Sequence, residues 1–501
     1  LISISFSQTT TLKGKITDGN GFALPGATIQ ALPSGKAVVT DFNGFYNIVG
    51  IDGEQTIKVS YIGFETVEQV ISIVEGSNTL DFTLETAVSE LGEVVVSGFQ
   101  SGIIKGLNKQ KSDVNVTNVV SADQIGKFPD DNVGDVIKRI AGVSMQGDQG
   151  EARNIVMRGL GPGQNSVTLN GDRIPSAEGD NRNVQLDLIP SAMIQSIEVN
   201  KTLTPDMEAD AIGGSVNLIT RSNPTGFRAS ATVAGGGNPI RSGGYNSNVT
   251  ALIGNEVSEK FSYTLSATVQ TRDYGSDNIE FEWNDPADWA DDGAIGEMDI
   301  RRYDVKRTRR SLSLNLDWNL NDNNQLYFKS IYNHRDDWEN RFRLRYKKIT
   351  DGFEDGFESL GNGRFKTTAR IERQTKGGID DDRNKGTRLE DQKASNITLG
   401  GDHLAASKLK IDWMVNFSRA SEERPNERYL TFRNSDVPII LDISDPSRPL
   451  VNYEDPTAWE ASKARNPEEA QKWTYENEVN AKVDFTLPIT DDGILKFGLN
   501  S

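Results

Sequence analysis

The sequence predicts a mainly β protein: a small N-terminal β-sandwich, a mixed α+β domain, and then an incomplete antiparallel transmembrane β-barrel. Three observations predict it. Up to Leu84, short alternating strands recur between turn residues. From 109 to 222, helix caps and strand patterns are interleaved. Beyond 223, polar and apolar residues alternate over stretches of about ten, the length of a tilted membrane-crossing strand.

Bulk properties remove several function classes. The 501 residues allow several domains, and 25% charged with 36% hydrophobic residues is the balance of a folding chain. A net charge of −18 argues against a nucleic-acid partner, which needs a basic face for the phosphates. No cysteine occurs, which excludes disulfides and thiolate metal sites. His334 and His403, the two histidines, cannot build a three-histidine or HExxH zinc site. Hydrolytic chemistry by those routes is closed, and no catalytic residue, cofactor or metal ligand is expected. No run reaches the roughly 18 apolar residues of a membrane helix, so a membrane role must come through strands.

Residues 1–8, opening on Leu1 rather than Met, are expected to be a signal-peptide remnant, with a first strand of the next domain as the alternative. The sandwich is placed at 9–86. It is carried by Lys13-Gly14-Lys15-Ile16, the turn Asp18-Gly19-Asn20-Gly21, and strands from Leu24, Phe45, Ile57 and Thr79. A linker follows at 87–108. Inside it, Glu93-Val94-Val95-Val96-Ser97 is a β-branched run suited to joining another protein's sheet edge, or to closing the sandwich as its last strand.

The α+β domain is placed at 109–222. Ser121-Ala122-Asp123-Gln124 is a capping box, and Pro129 opens a second helix that buries Val133, Val136, Ile137 and Ile140 and stops at Gly142. Asn154–Arg158, Ser166–Leu169 and Ile194–Val199 read as strands, Asn170-Gly171 as a hairpin turn, and Gly213-Gly214 as a tight turn into a strand. Gly159-Leu160-Gly161 lacks the Gly-Lys-Ser/Thr of a phosphate loop and is read as a turn.

The barrel stretch is 223–501, with about nine strands by the alternation rule. Phe261–Gln270, Ser311–Leu320, Leu409–Phe417 and Val479–Leu487 alternate cleanly. Short connectors (254–260, 319–324, 401–407, 488–493) alternate with long polar ones (273–303, 339–385, 421–471). Nine strands leave unpaired edges that lipid does not tolerate, so further strands are expected beyond Ser501. The acidic run 285–292 lacks EF-hand spacing and reads as a solvated loop. Trp283 and Trp289 are candidates for stacking on a flat ligand, or for the interfacial aromatic girdle.

Three motifs in order carry a family resemblance. Phe128-Pro129-Asp130-Asp131-Asn132-Val133 with Ile140-Ala141-Gly142-Val143, then Arg158-Gly159 with Asn170-Gly171-Asp172-Arg173, then Leu203–Gly214 closing on Gly213-Gly214, resemble the plug domain of TonB-dependent outer-membrane receptors. Residues 11–84 resemble the carboxypeptidase-regulatory-like domain found in receptors of the Bacteroidetes type. The resemblance implies active import of a specific ligand across the bacterial outer membrane, with the N-terminal domains in the periplasm. By the same resemblance Glu93 to Ser97 is the TonB box, gripped by TonB, which ExbB and ExbD energise. It implies, too, a lipid bilayer around the barrel, an imported ligand (an oligosaccharide before a siderophore or peptide), and a surface-exposed lipoprotein as a further partner. Arg158 is expected to be buried and paired with a barrel carboxylate. The alternative is a surface adhesion or structural β-protein without transport.

Overall fold

A computed structural model describes residues 10–501 other than 20, 42, 63, 86–96, 114, 126–129, 179–180, 205–206, 208–210, 223, 225, 240–243, 285–293, 322, 378–386, 406–408 and 490–492. Glu93 to Val96 and Trp289 lie outside the described residues.

The N-terminal stretch is a sandwich of two four-stranded sheets. Strand Thr11–Asp18 pairs with Phe45–Val49, Ser77–Thr79 and Phe82–Leu84, and Thr28–Leu32 and Gly53–Ser60 centre the second sheet. Alternation buries Leu12, Ile16, Ile29, Ile48, Ile57 and Val59 between the sheets. Next comes a helix, Ser97–Ser112, which crosses the expected 108/109 boundary and makes Ser97 a helical residue. Its three glycines give it poor intrinsic propensity. Packing compensates: Ile104 joins the sandwich core, and Gly106 lies against Val119 of the following sheet.

That sheet has five strands in the order Asp172–Arg173, Asn165–Leu169, Gly214–Thr220, Ile194–Asn200, Thr117–Ser121. Gln124 accepts from Ser121 N at 3.0 Å, as a capping box requires. The next helix is Val133–Ile137, capped by Asn132, whose Oδ1 accepts from Asp135 N at 2.9 Å. It therefore starts later than the Pro129 expected. Gly214 adopts φ +147°, and a Cβ there would meet the methyl of Met157 and lie 2.7 Å from Asn200 O.

One antiparallel sheet of 13 strands follows among the described residues. Nine of them form the wall: β1 Arg228–Gly237, β2 Tyr245–Ser258, β3 Phe261–Asn284, β4 Ala294–Asn321, β5 Asn324–Lys347, β6 Arg388–Ala405, β7 Leu409–Asp442, β8 Glu468–Pro488 and β9 Ile494–Asn500. Arg364–Lys376 lies above in the same sheet, between β5 and β7. Their burial is inverted relative to a soluble sheet. Leu312 is 49% exposed, while Ser311 and Ser313 beside it are 6% and 2% exposed. The outward face carries Leu265, Val269, Leu399, Val415 and Phe417; the inward face carries Thr264, Ser266, Asn315, Thr398 and Asn416. An apolar face left uncovered over this length is the face a bilayer covers. Aromatic residues edge it: Phe261 against Trp318 near the tight turns, and Tyr332, Trp473 and Tyr475 at the other rim. No helix among the described residues is long and apolar enough to cross a membrane, which says nothing of the strands.

The long connectors differ from the expectation. They are largely upward continuations of the strands, so that β3, β4, β5 and β7 reach 24, 28, 24 and 34 residues, against about ten needed to cross a bilayer. Helix Ile349–Asp355 and strand Arg364–Lys376 add a second tier with its own core of Met298, Phe353, Ile371 and Ile439. Trp283 ends β3 there, with its ring 6.5 Å from Phe281, well above the aromatic rim. At the opposite end the sandwich meets the wall. Arg228 stacks on Phe22 at 3.8 Å, and Lys13 Nζ donates to Asn323 Oδ1 at 3.3 Å.

A chain without native cysteine makes the membrane reading directly testable. Ser447 lies just beyond the far end of β7, and Glu259 in the tight turn between β2 and β3. In the full-length protein on intact cells, Ser447→Cys is expected to react with an impermeant maleimide, and Glu259→Cys only after the outer membrane is opened. Equal labelling of both on intact cells contradicts a membrane-crossing wall.

Candidate functional site

The α+β domain sits against the inward face of the wall, and charge rather than apolar burial joins them. Hairpin Val143–Asp148/Glu151–Met157 turns at Gln149 and Gly150, both at positive φ. The turn delivers Glu151, 3% exposed, into a ring of wall arginines. Arg307 and Arg309 both ion-pair with it, and Arg272 Nη1 lies 3.6 Å away. Gln149 accepts from Arg307 Nη2 at 3.0 Å and donates to Glu339 at 2.7 Å.

A second contact comes from the turn Leu186–Leu188. Asp187, 1% exposed, pairs with Arg335 of β5 and lies 3.9 Å from Arg309. On the wall, Asp337 holds Arg307 at 2.5 Å. Asp131 ion-pairs with Arg272 and accepts from Asn248 at 3.2 Å. Asn480 of β8 donates to Asp172 at 2.9 Å, and Asn315 of β4 to Thr220 at 3.1 Å. Apolar contact with the wall is small among the described residues: Ile331 enters the core of the α+β domain, and Ala420 of β7 packs with Ala177 and Leu188.

These carboxylates stay charged despite their burial. Loss of water pushes the Glu151 carboxyl up, but Arg309 and Arg307 beside it outweigh this and hold it well below the usual carboxylate range. Asp187 is held down in the same way, chiefly by Arg335 and then Arg153. Both groups are depressed on folding. Their contribution is therefore fully present above the ordinary carboxylate pKa of about 4 and is lost as pH falls toward the depressed values.

The expected site residues fall mainly at turns. Asn170 and Gly171, at φ 54° and 90°, make a two-residue hairpin between Leu169 and Asp172. Asn170 Oδ1 also accepts from Thr220 N at 3.1 Å. Arg173 pairs in register with Thr168. Gly159 turns at φ 80°, and a Cβ on Gly213 would collide with the Asn165 amide. Arg158 corrects its expectation. It is exposed, and its guanidinium donates to the carbonyls of Gly213 (2.9 Å) and Ile212 (3.2 Å) rather than to a wall carboxylate. At φ 53°, beside Gly159, its side chain turns back over the Gly213-Gly214 turn.

The residues that do pair across the interface, Glu151, Asp187, Arg307, Arg309 and Arg335, went unread in the sequence. A usable signal exists. Arg307 and Arg309, then Arg335, Asp337 and Glu339, occupy every second position of strands whose alternate face is already polar. His334, Asp336 and Asp391 approach one another on the outward face, but Arg310 (2.5 Å) and Lys393 (3.1 Å) already engage their carboxylates.

A folded domain held by ion pairs against the polar face of an inverted β-wall is the arrangement of part of a plugged membrane β-barrel. Comparison with known proteins gives the family terms. Residues 108–215 match the TonB-dependent Receptor Plug Domain and residues 12–96 the CarboxypepD_reg-like domain, so the chain carries both. TonB-dependent receptor P39 of Formosa agariphila is 27% identical over 43% of this chain and 20% of its own length. TonB-dependent receptor P26 of the same organism is 32% identical over 42% of this chain and likewise 20% of its own length. The match thus spans about a fifth of each of these relatives. Among solved structures, a ferric enterobactin receptor of Pseudomonas aeruginosa aligns at 12% identity and TM-score 0.38, covering 79% of this chain and 62% of its own. The siderophore receptor PiuA of Acinetobacter baumannii aligns at 11% and 0.34, covering 76% and 63%. Likeness this distant carries no functional weight.

Removing one partner of a buried ion pair costs about 3–5 kcal/mol, because the other charge stays buried. Glu151→Ala in the full-length protein is therefore expected to loosen the plug and raise sensitivity to large antibiotics such as vancomycin. Wild-type resistance in that variant contradicts a charge-held plug.

Proposed function

We propose that this chain is part of a receptor that actively imports a specific ligand across the bacterial outer membrane, with its N-terminal domains in the periplasm. The ligand is captured on the outer tier and the outward face of the plug. TonB, energised by ExbB and ExbD, then pairs with Glu93 to Ser97 by adding a strand, and the pull displaces the plug. No bond in the ligand is made or broken. An oligosaccharide is favoured as cargo over a siderophore or a peptide, and a surface lipoprotein is a further partner.

The observation that supports this reading best is the polar character of the plug seat. Burying an apolar seam gains roughly 25 cal/mol per Å², all of which a pull must return. Ion pairs between Glu151, Asp187 and the wall arginines hold the plug in register, yet water repays much of their loss on leaving. A seat of this kind is firm at rest and can be reversed under load. Helix Ser97–Ser112, packed on strand Thr117–Ser121 through Gly106 and Val119, gives the pull a route from the TonB box into the plug sheet. A structural adhesin has no use for such a seat.

Coupling is tested at the box itself. Val95→Pro removes a strand donor and fixes φ near −65°. The expected outcome is energy-dependent uptake lost while binding at the cell surface is kept. Normal uptake by that variant contradicts the assignment of residues 93–97.

A further inference from the structure

Inward-facing arginines of the wall follow a rule. Arg272, Arg301, Arg307, Arg335, Arg388 and Arg433 each meet a carboxylate, and so do their inward-facing neighbours Arg309, Arg343 and Arg345. Arg341 of β5 breaks it. Two residues above Glu339, which the plug turn grips through Gln149, it faces inward by alternation and makes no ion pair among the described residues. Its nearest ring is Tyr303, 5.9 Å away.

Two further cations stand beside it, each already tied to a carboxylate. Across the register stands Lys376, itself tied to Glu427 at 2.8 Å and set over the Tyr429 ring. Two positions along is Arg343, whose partners are Gln374 (2.7 Å) and Asp299 (3.2 Å). A half-buried guanidinium among like charges is costly, and an arriving anion removes that cost. The guanidinium fork fits the paired oxygens of a carboxylate, sulfate or phosphate.

We propose that Arg341, with Lys376 and Arg343 beside it, is a subsite for an anionic group of the imported ligand, and that the ligand is an acidic glycan. The subsite stands one rung above the plug turn, where a descending ligand and the plug meet. This inference rests on the import reading, and it names the cargo's charge.

The test uses purified full-length receptor and phenylglyoxal, which modifies accessible guanidinium groups, read residue by residue in peptides. Arg448, exposed on the outer tier, is the internal reference. The probes are oligogalacturonate, inorganic sulfate and ferric citrate, each against sodium chloride at equal ionic strength. Oligogalacturonate is expected to slow modification of Arg341 about tenfold where Arg448 is unchanged, with sulfate acting the same way more weakly. Arg341→Gln is expected to lose binding of oligogalacturonate while its melting temperature is kept. Arg341→Lys, which keeps the charge without the fork, is expected to retain part of it. Equal effects of all anions on Arg341 and Arg448 overturn the subsite. Protection by ferric citrate alone overturns the acidic glycan in favour of an iron chelate. The readout needs no energised membrane, so failed uptake in the Val95→Pro strain bears on transport and not on this subsite.

Discussion

Two buried carboxylates, Glu151 and Asp187, and the wall arginines around them are the contact on which the rest of this molecule depends. Each carboxylate is almost fully withdrawn from water. Each would be intolerable there without Arg307, Arg309 and Arg335. Arg309 and Arg335 need them in turn, whereas Arg307 also has Asp337 of the wall. Neither the plug nor this part of the wall satisfies its own charges alone, so the two must be assembled together. That mutual need sets the register between a compact domain and a sheet whose apolar contacts are few among the described residues: Ile331, and Ala420 against Ala177 and Leu188.

The inverted wall follows from the same constraint. Once the inward face is given over to Ser, Thr, Asn and Arg that meet the plug, the outward face must carry the apolar residues, and only lipid can cover them. Higher up, where no lipid reaches, the outward face is covered again by helix Ile349–Asp355, over Ile371 of strand Arg364–Lys376 and Ile439 of β7. The wall thus changes what covers it with height, while its inward face stays polar throughout, Ser, Thr and Asn below and charged residues above. Arg341 stands where the charges facing the plug give way to those facing the opening.

Local features were the legible ones. The capping box at Ser121 and Gln124, the Asn170-Gly171 hairpin and the alternation from Ser311 to Leu320 each rest on neighbours in sequence, and each formed as expected. Helix Ser97–Ser112 was not legible, because Gly98, Gly102 and Gly106 weaken it and only packing on the sandwich and on Val119 stabilises it. The upper strands looked like loops because Arg301, Arg307 and Arg343 alternate with residues as polar as Arg302 and Thr308, which hides the period of two. The plug seat was hidden for another reason. Glu151 and Arg307 are 156 positions apart, and nothing near either one announces the other. Arg158 drew attention as a motif residue, yet its work is local, over the carbonyls of Ile212 and Gly213.

The most direct measurement is a double-mutant cycle between Glu151 and Arg309 in the reconstituted full-length receptor. The readout is the urea concentration at which hydrogen-exchange protection of strand Glu151–Met157 is lost. If the two charges hold the plug together, Arg309→Gln destabilises the Glu151 protein far more than the Glu151→Gln protein, with a coupling of about 0.5–3 kcal/mol. Additive effects of the two substitutions would contradict a plug seated by that pair.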